Sequence, residues 1–115
     1  MPWGTVEEEP EVHAWLRALP DSDFGRVAFR IDLLEDQGPL LDEPYTRQID
    51  GKLRELRCNL NGEQVRITYW IAPGRRIILL TVFRKTRMRE RREIARAMRA
   101  YRQCVENHVT EQERS

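Results

Sequence analysis

The sequence predicts an α+β domain in which an N-terminal helical hairpin packs on a small antiparallel β-sheet, a meander, and a third helix closes the chain. Apolar residues recur at helical spacing between residues 10 and 38 and again between residues 94 and 105, and they follow strand patterns in between. At 115 residues the chain has the size of one domain, which we assign to residues 1–104. Residues 105–115 are expected to be a polar, frayed tail.

The helical hairpin is bounded by prolines and glycine. The first helix begins near Pro10 and stops at Pro20, and the second ends at Gly38-Pro39. Residues 21–23 supply oxygens that can cap the second helix. The apolar residues expected to be buried are Val12, Trp15, Leu16 and Leu19 in the first helix and Phe24, Val27, Ala28, Ile31 and Leu34 in the second.

The sheet is predicted from a hairpin and a third strand. Residues 52–60 and 64–72 flank Asn61-Gly62, a dipeptide suited to a tight β-turn, although the loop length leaves the register open. Residues 77–83 are apolar in nearly every position, as in a strand covered on both faces.

Two further segments complete the predicted element order. Residues 39–51 contain two prolines and a glycine with little periodicity and are expected to be a loop. Residues 3–6 are compatible with a short additional strand.

Charge is distributed unevenly along the chain. Residues 1–46 carry a net charge of −8, residues 47–104 carry +11, and the remainder carries −2. So large a positive excess on a small fold is typical of a protein that binds a polyanion. The alternative is a set of solvated arginines, part of them on the polar face of the last helix.

Motifs for metal or cofactor chemistry are not evident. Cys58 and Cys104 lack the spacing of a zinc site, and His13 and His108 lie far apart in sequence. No glycine-rich phosphate loop or nucleophile elbow is present. We therefore expect no metal and no cofactor.

The sequence also lacks a signal for export or insertion into a membrane. The first residues are followed by acidic Glu7–Glu9, unlike a signal peptide, and no apolar run reaches the length of a membrane span. We expect a cytoplasmic protein without a membrane partner.

Three strand segments resemble the core of the RelE/ParE toxin superfamily, and most closely its phage-derived, HigB-like branch. They are Leu53–Arg57, Val65–Tyr69 and Leu79–Thr86, and the resemblance extends from about Trp3 to about Tyr101. It implies a RelE-like fold and a small toxin that a cognate antitoxin neutralises. Many members cut messenger RNA in the ribosomal A site without a metal ion, whereas some poison DNA gyrase.

The same resemblance suggests four catalytic residues. Arg66 matches the arginine that opens the second hairpin strand, and Lys85 matches a basic position at the end of the next strand. Glu55 and Arg57 occupy positions of reactive polar groups, so Glu55 could act as the base and Arg57 as a phosphate clamp. Metal-free cleavage needs a group that accepts the proton of the attacking 2′-hydroxyl. It also needs positive charge at the phosphate, and a guanidinium supplies that charge.

Two departures from the family pattern concern the first strand and the last helix. Relatives often have basic residues at both positions occupied by Glu55 and Arg57, and others carry a histidine or tyrosine where this chain has Arg89, Arg91 and Arg92. The general acid is therefore unassigned.

Further residues are candidates for RNA binding, and several of the candidate site residues have a structural alternative. Trp70 could stack on a base or pack in the core, Arg66 could be an exposed strand residue, and Glu55 could be a salt-bridge partner only. The candidate RNA-binding residues are Lys52, Arg54, Trp70, Arg84, Arg87 and Arg89.

The leading hypothesis is a ribosome-dependent, metal-independent mRNA endonuclease that acts as the toxin of a toxin–antitoxin pair. The alternatives are a non-enzymatic toxin that binds DNA gyrase and a nucleic-acid-binding regulatory protein. The expected partners are mRNA, the ribosome and an antitoxin, which would form a hetero-oligomer covering Arg57, Arg66 and Lys85.

Overall fold

The computed structural model describes residues 1–88 and 90–114, with side chains described as far as residue 108. The elements follow in the order β1 (Thr5–Glu8), α1 (Pro10–Ala18), α2 (Asp21–Gln37), a 3-10 turn (Gly38–Leu40), β2 (Thr46–Asp50), β3 (Leu53–Leu60), β4 (Glu63–Ala72), β5 (Arg76–Arg84) and α3 (Glu90–Arg114).

The sheet has five strands in the order β1-β5-β4-β3-β2. The predicted meander of β3, β4 and β5 is confirmed, with both pairings antiparallel. The sheet is mixed rather than purely antiparallel, because β1 pairs with β5 in parallel. The predicted loop over residues 39–51 is wrong in its second half, where β2 forms an edge strand beside β3. Most of β2 is exposed and polar, so it carries little of the alternation that reveals a half-buried strand.

The β3–β4 turn sets the register of the hairpin. Asn61 and Gly62 both have positive φ, at 56° and 83°, as a two-residue hairpin turn of type I′ requires. Leu60 is therefore opposite Glu63, and further along the ladder Arg57 is opposite Arg66.

The α1–α2 hairpin covers one face of the sheet. Its buried residues pack with β3, β4 and β5 in the larger apolar cluster. The predicted side-chain cap of α2 is wrong, because Pro20 occupies the cap position and the buried Asp23 carboxylate instead accepts from Asn61 Nδ2 at 3.3 Å. Phe24, predicted to be buried, is 46% exposed.

The opposite face is covered in part by α3. Trp70, Ala97 and Cys104 belong to a second buried cluster on this face. α3 continues past residue 105 as far as Arg114, and fraying of residues 105–115 stays a prediction. His108 explains part of this order, because its ring packs edge-on against Trp70 with centroids 6.1 Å apart. In the described part of the chain, no helix combines the length and the apolar character needed to cross a membrane.

Candidate active site

Three of the four predicted catalytic residues meet on the sheet face that α3 partly covers. Glu55 and Arg57 lie on β3, and Arg66 lies on β4 directly opposite Arg57. Glu55 Oε2 is 2.7 Å from Arg66 Nε and 3.3 Å from Arg57 Nε. One carboxylate is thus shared by two guanidinium groups, and the cluster retains an excess positive charge.

Arg66 is only 5% exposed, and its guanidinium donates to oxygens of neighbouring residues. Its Nη1 donates to the Val65 carbonyl at 3.2 Å, and its Nη2 donates to Gln64 Oε1 at 2.9 Å. Nε makes the ion pair with Glu55, but its N–H is not aligned for a hydrogen bond with any described group. A buried donor left without a hydrogen-bond acceptor is unfavourable, and an anion that accepted this bond would relieve the cost.

The environment of Arg66 also changes its acidity. Burial lowers the pKa of the guanidinium, and the Glu55 carboxylate opposes that shift. Because the ordinary pKa of arginine lies far above neutrality, Arg66 remains charged at neutral pH. The site therefore keeps a desolvated positive charge, which attracts a phosphate more strongly than a solvated one does.

Lys85 lies beside this cluster and not within it. Its backbone N–H donates to the Gln64 carbonyl at 2.8 Å, so Gln64 contacts both Lys85 and Arg66. Among the described side chains, no hydrogen bond or ion pair joins the Lys85 ammonium to Glu55 or to either arginine. Lys85 is exposed in a groove of about 550 Å³. The groove is lined by Gly62, Glu63, Gln64, Arg84, Lys85, Thr86, Arg87 and Glu90.

The predicted RNA-binding residues are spread over several surfaces. Arg87 and Arg84 both line the groove, and Arg84 pairs with Glu63 at 3.0 Å. Lys52 is exposed in the turn before β3, roughly 16 Å along the strand from Arg57. Arg89 lies outside the described residues.

Two of the predicted RNA-binding residues make contacts within the fold. Arg54 lies on the opposite face of β3, where its guanidinium donates to the Tyr69 hydroxyl at 3.3 Å and to Thr46 Oγ1 at 3.0 Å. Trp70 is 4% exposed, packs edge-on against Tyr101, and donates its indole N–H to Cys104 Sγ. Strand alternation puts Trp70 on the face of Arg66, but α3 covers that end of the face.

Gln64 is the site residue that sequence reasoning missed. It precedes Arg66 by two positions on β4, so its side chain shares the face of Arg66. The signal available in the sequence was this spacing, which places an amide next to the predicted arginine.

Metal and thiol chemistry have little support among the described residues. No group of three or more His, Cys, Asp or Glu side chains comes together there in a way that could hold a metal ion. Burial raises the pKa of the Cys58 thiol to about 11, and burial also raises the pKa of Cys104. Both thiols are therefore protonated near neutral pH and are poor nucleophiles.

The chain is similar to one protein family and to two curated proteins described as putative toxins. The family model described as phage-derived protein Gp49-like matches residues 14–102. The chain is 30% identical over 87 residues to the putative toxin HigB2 of Mycobacterium tuberculosis and 35% identical over 75 residues to the putative toxin HigB3 of the same organism. These matches cover 71% and 62% of this chain but 43% and 64% of the two relatives, so the chain spans less than two thirds of either one.

Solved structures confirm the RelE-like fold. The archaeal RelE–RelB complex from Pyrococcus horikoshii matches with a TM-score of 0.51 and 22% identity, over 73% of this chain and 97% of that one. A mutant of the E. coli toxin RelE in the free state matches with a TM-score of 0.59 and 11% identity, over 84% and 94% of the two chains. At these identities the likeness concerns the fold alone.

Proposed function

We propose that this chain, which belongs to the Gp49-like family of phage-derived proteins, is the toxin of a toxin–antitoxin pair and cleaves messenger RNA on the ribosome without a metal ion. The observation that carries the proposal is the sharing of the buried Glu55 carboxylate by Arg57 and Arg66. The relatives described as putative toxins and the RelE-like fold support the toxin role.

The proposed reaction uses the RNA's own 2′-hydroxyl as the nucleophile. Glu55 accepts the proton of that hydroxyl while its oxygen forms a bond to the adjacent phosphorus. The bond from phosphorus to the 5′-oxygen of the next nucleotide breaks, and that oxygen takes up a proton from water, which leaves a 2′,3′-cyclic phosphate and a 5′-hydroxyl. Glu55 reaches the hydroxyl only if RNA displaces one of its guanidinium contacts, and the phosphate is the anion that replaces the carboxylate there.

Arg66 and Arg57 stabilise the charge that develops on the phosphate. The Arg66 Nε–H is the donor without an aligned acceptor, so it can bond a phosphate oxygen without giving up its contacts to Val65 and Gln64. A donor fixed before the reaction costs little reorganisation at the transition state. Lys85, in the adjoining groove, neutralises charge on the leaving side of the phosphate.

Induced expression followed by pulse labelling tests this function. Incorporation of labelled amino acid should stop before incorporation of labelled thymidine, and Arg66→Ala should abolish the effect. Arg17→Ala is the matched control, because Arg17 is an exposed arginine in the last turn of α1, in the helical hairpin on the opposite face of the sheet. If thymidine incorporation stops first, the chain acts on DNA gyrase; if neither stops, it is a binding protein without toxicity. Either result rejects the ribonuclease.

We further propose that the antitoxin covers Arg57, Arg66 and Lys85 with an acidic segment. Charge complementarity supports this, because an excess of positive charge faces outward in a cell rich in RNA. Hydrogen exchange on the co-expressed complex should show protection within residues 52–85 that weakens as salt is raised. A complex with no protection in that range would contradict the masking model.

A further inference from the structure

A second groove lies on the opposite face of the sheet, between α2 and β3. Its volume is about 470 Å³. The lining residues come from one side of α2 and from the last part of β3, and they are Ser22, Gly25, Arg26, Phe29, Arg30, Cys58, Asn59 and Leu60. The proposed catalytic residues do not contribute to it.

The groove combines an apolar floor with an exposed aromatic wall. Cys58 and Leu60 are buried at 4% and 6% exposure, whereas Phe29 is 67% exposed. A side-chain carbon added at Gly25 would meet nothing within 4 Å, so the helix leaves space beside Phe29. An apolar side chain from another molecule placed there would shield Phe29 from water.

The rim of the groove is positive within an acidic part of the chain. Residues 1–46 contain three arginines and no lysine, and two of those arginines, Arg26 and Arg30, line the groove. Among the described residues, no carboxylate lines the groove. The Arg26 side chain is 58% exposed, and its Nη1 lies 3.9 Å from Asp23 Oδ1. The guanidinium carbon of Arg30 lies 4.8 Å from the centre of the Tyr45 ring. The rim is therefore complementary to carboxylates that flank an apolar side chain.

The groove also adjoins an open edge of the sheet. Strand β2 pairs with β3 only as far as Leu56, and the Arg57 N–H donates to the Tyr45 carbonyl at 2.8 Å. Among the described strands, none lies beside residues 58–60 on that side. Side chains of neighbouring β3 residues point to opposite faces, so Arg57 and Cys58 connect the two surfaces across this edge.

We propose that the α2–β3 groove binds an apolar side chain from an acidic segment of the antitoxin. This inference rests on the toxin function proposed above and names a contact on the face away from Glu55 and Arg66. The open edge of β3 lets one extended segment pass from the groove to the basic face. The groove anchors the partner, while the acidic segment covers the cluster.

Neutralisation by the co-expressed product of the reading frame adjacent to this gene tests the proposal. Phe29→Ser removes the aromatic wall, and Gly25→Phe fills the groove. Both substitutions are at exposed positions of α2, so the fold should tolerate them. Phe24→Ser is the matched control, because Phe24 is a partly exposed phenylalanine of the same helix outside the groove.

Both groove variants should remain toxic when expressed alone, should escape neutralisation, and should bind the partner at least tenfold more weakly. Phe24→Ser should be neutralised like the unsubstituted chain. Groove variants that are neutralised normally and bind within twofold of the unsubstituted chain would overturn the proposal. It would also be overturned if the free chain were a dimer that Phe29→Ser dissociates, because the groove would then hold a second copy. If the unsubstituted chain neither inhibits growth nor binds the partner, the proposed function itself fails.

Discussion

Glu55 and Arg66 form a buried ion pair for which we propose both a structural and a catalytic role. Removing one member of such a pair leaves the other charged and desolvated, which costs more than the pair itself contributes. Loss of toxicity in an alanine variant is therefore ambiguous unless folding is measured as well. A substitution that preserves shape is the more informative one.

At the residue scale, the substitution Glu55→Gln separates a catalytic role of Glu55 from a structural one. The amide keeps an oxygen acceptor next to Arg57 and Arg66 but cannot take the proton of the 2′-hydroxyl. We expect single-turnover cleavage to fall by about 10²-fold or more, in the range typical for general bases, while the fold persists. Glu63→Gln, at the ion pair with Arg84, is the control. Cleavage within twofold of the unsubstituted chain would make Glu55 a salt-bridge partner only.

The sequence predicted the residues of this cluster better than their arrangement. Strand alternation alone places Glu55 and Arg57 on one face. Their distance from Arg66 depends on the hairpin register, and a one-residue change in loop length would move Arg66 relative to both. The positive φ of both turn residues resolves this, because it indicates a two-residue loop that puts Arg57 opposite Arg66.

At the scale of elements, β1, β5 and α3 are joined by a polar contact that the sequence does not reveal. Arg76 Nη2 donates to Glu7 Oε1 at 2.7 Å, and Arg76 Nη1 lies 2.8 Å from His108 Nδ1. These residues are 69 and 32 positions apart, so no local pattern connects them. The contact fastens the parallel strand β1 and the end of α3 to β5.

This contact predicts a specific loss of stability in acid. The hydrogen bond from Arg76 lowers the pKa of Glu7 below its ordinary value of 4.5. A carboxylate with a lowered pKa stabilises the fold above that ordinary value, and its contribution is lost as pH falls through the folded-state pKa. Urea unfolding at pH 5 and pH 3 should therefore show a smaller drop for Glu7→Gln than for the unsubstituted chain.

Asp32→Asn, which neutralises an exposed carboxylate on α2, is the matched control and should keep the full drop. An equal drop for Glu7→Gln and the unsubstituted chain would show that Glu7 does not hold β1 in this way.

The elements that the sequence mispredicted share a physical cause. The edge strand β2 is mainly polar, and it forms because β3 supplies its backbone hydrogen bonds. Similarly, Asp23 looked like a helix cap but is directed inward by Asn61, a partner 38 residues away. Local patterns report such tertiary contacts poorly.

At the scale of the whole molecule, the sheet separates two surfaces for which we propose different roles. One face carries Glu55, Arg57 and Arg66 where α3 leaves it uncovered. The other carries the α2–β3 groove between the helical hairpin and the open edge of β3. The charge split along the sequence predicts a basic surface, whereas the groove is formed by residues of α2 and β3 that are distant in sequence and could not be read from composition.

Cleavage of a defined messenger RNA on programmed ribosomes by the purified chain tests the central proposal most directly. The account predicts fragments that end in a 2′,3′-cyclic phosphate and a 5′-hydroxyl. Cleavage should persist with a chelator of zinc and manganese while magnesium keeps the ribosomes assembled. Folded Arg66→Ala should be inactive and Arg17→Ala active. Intact RNA with the unsubstituted chain, cleavage by Arg66→Ala at the unsubstituted rate, or activity that zinc or manganese alone restores would contradict the account.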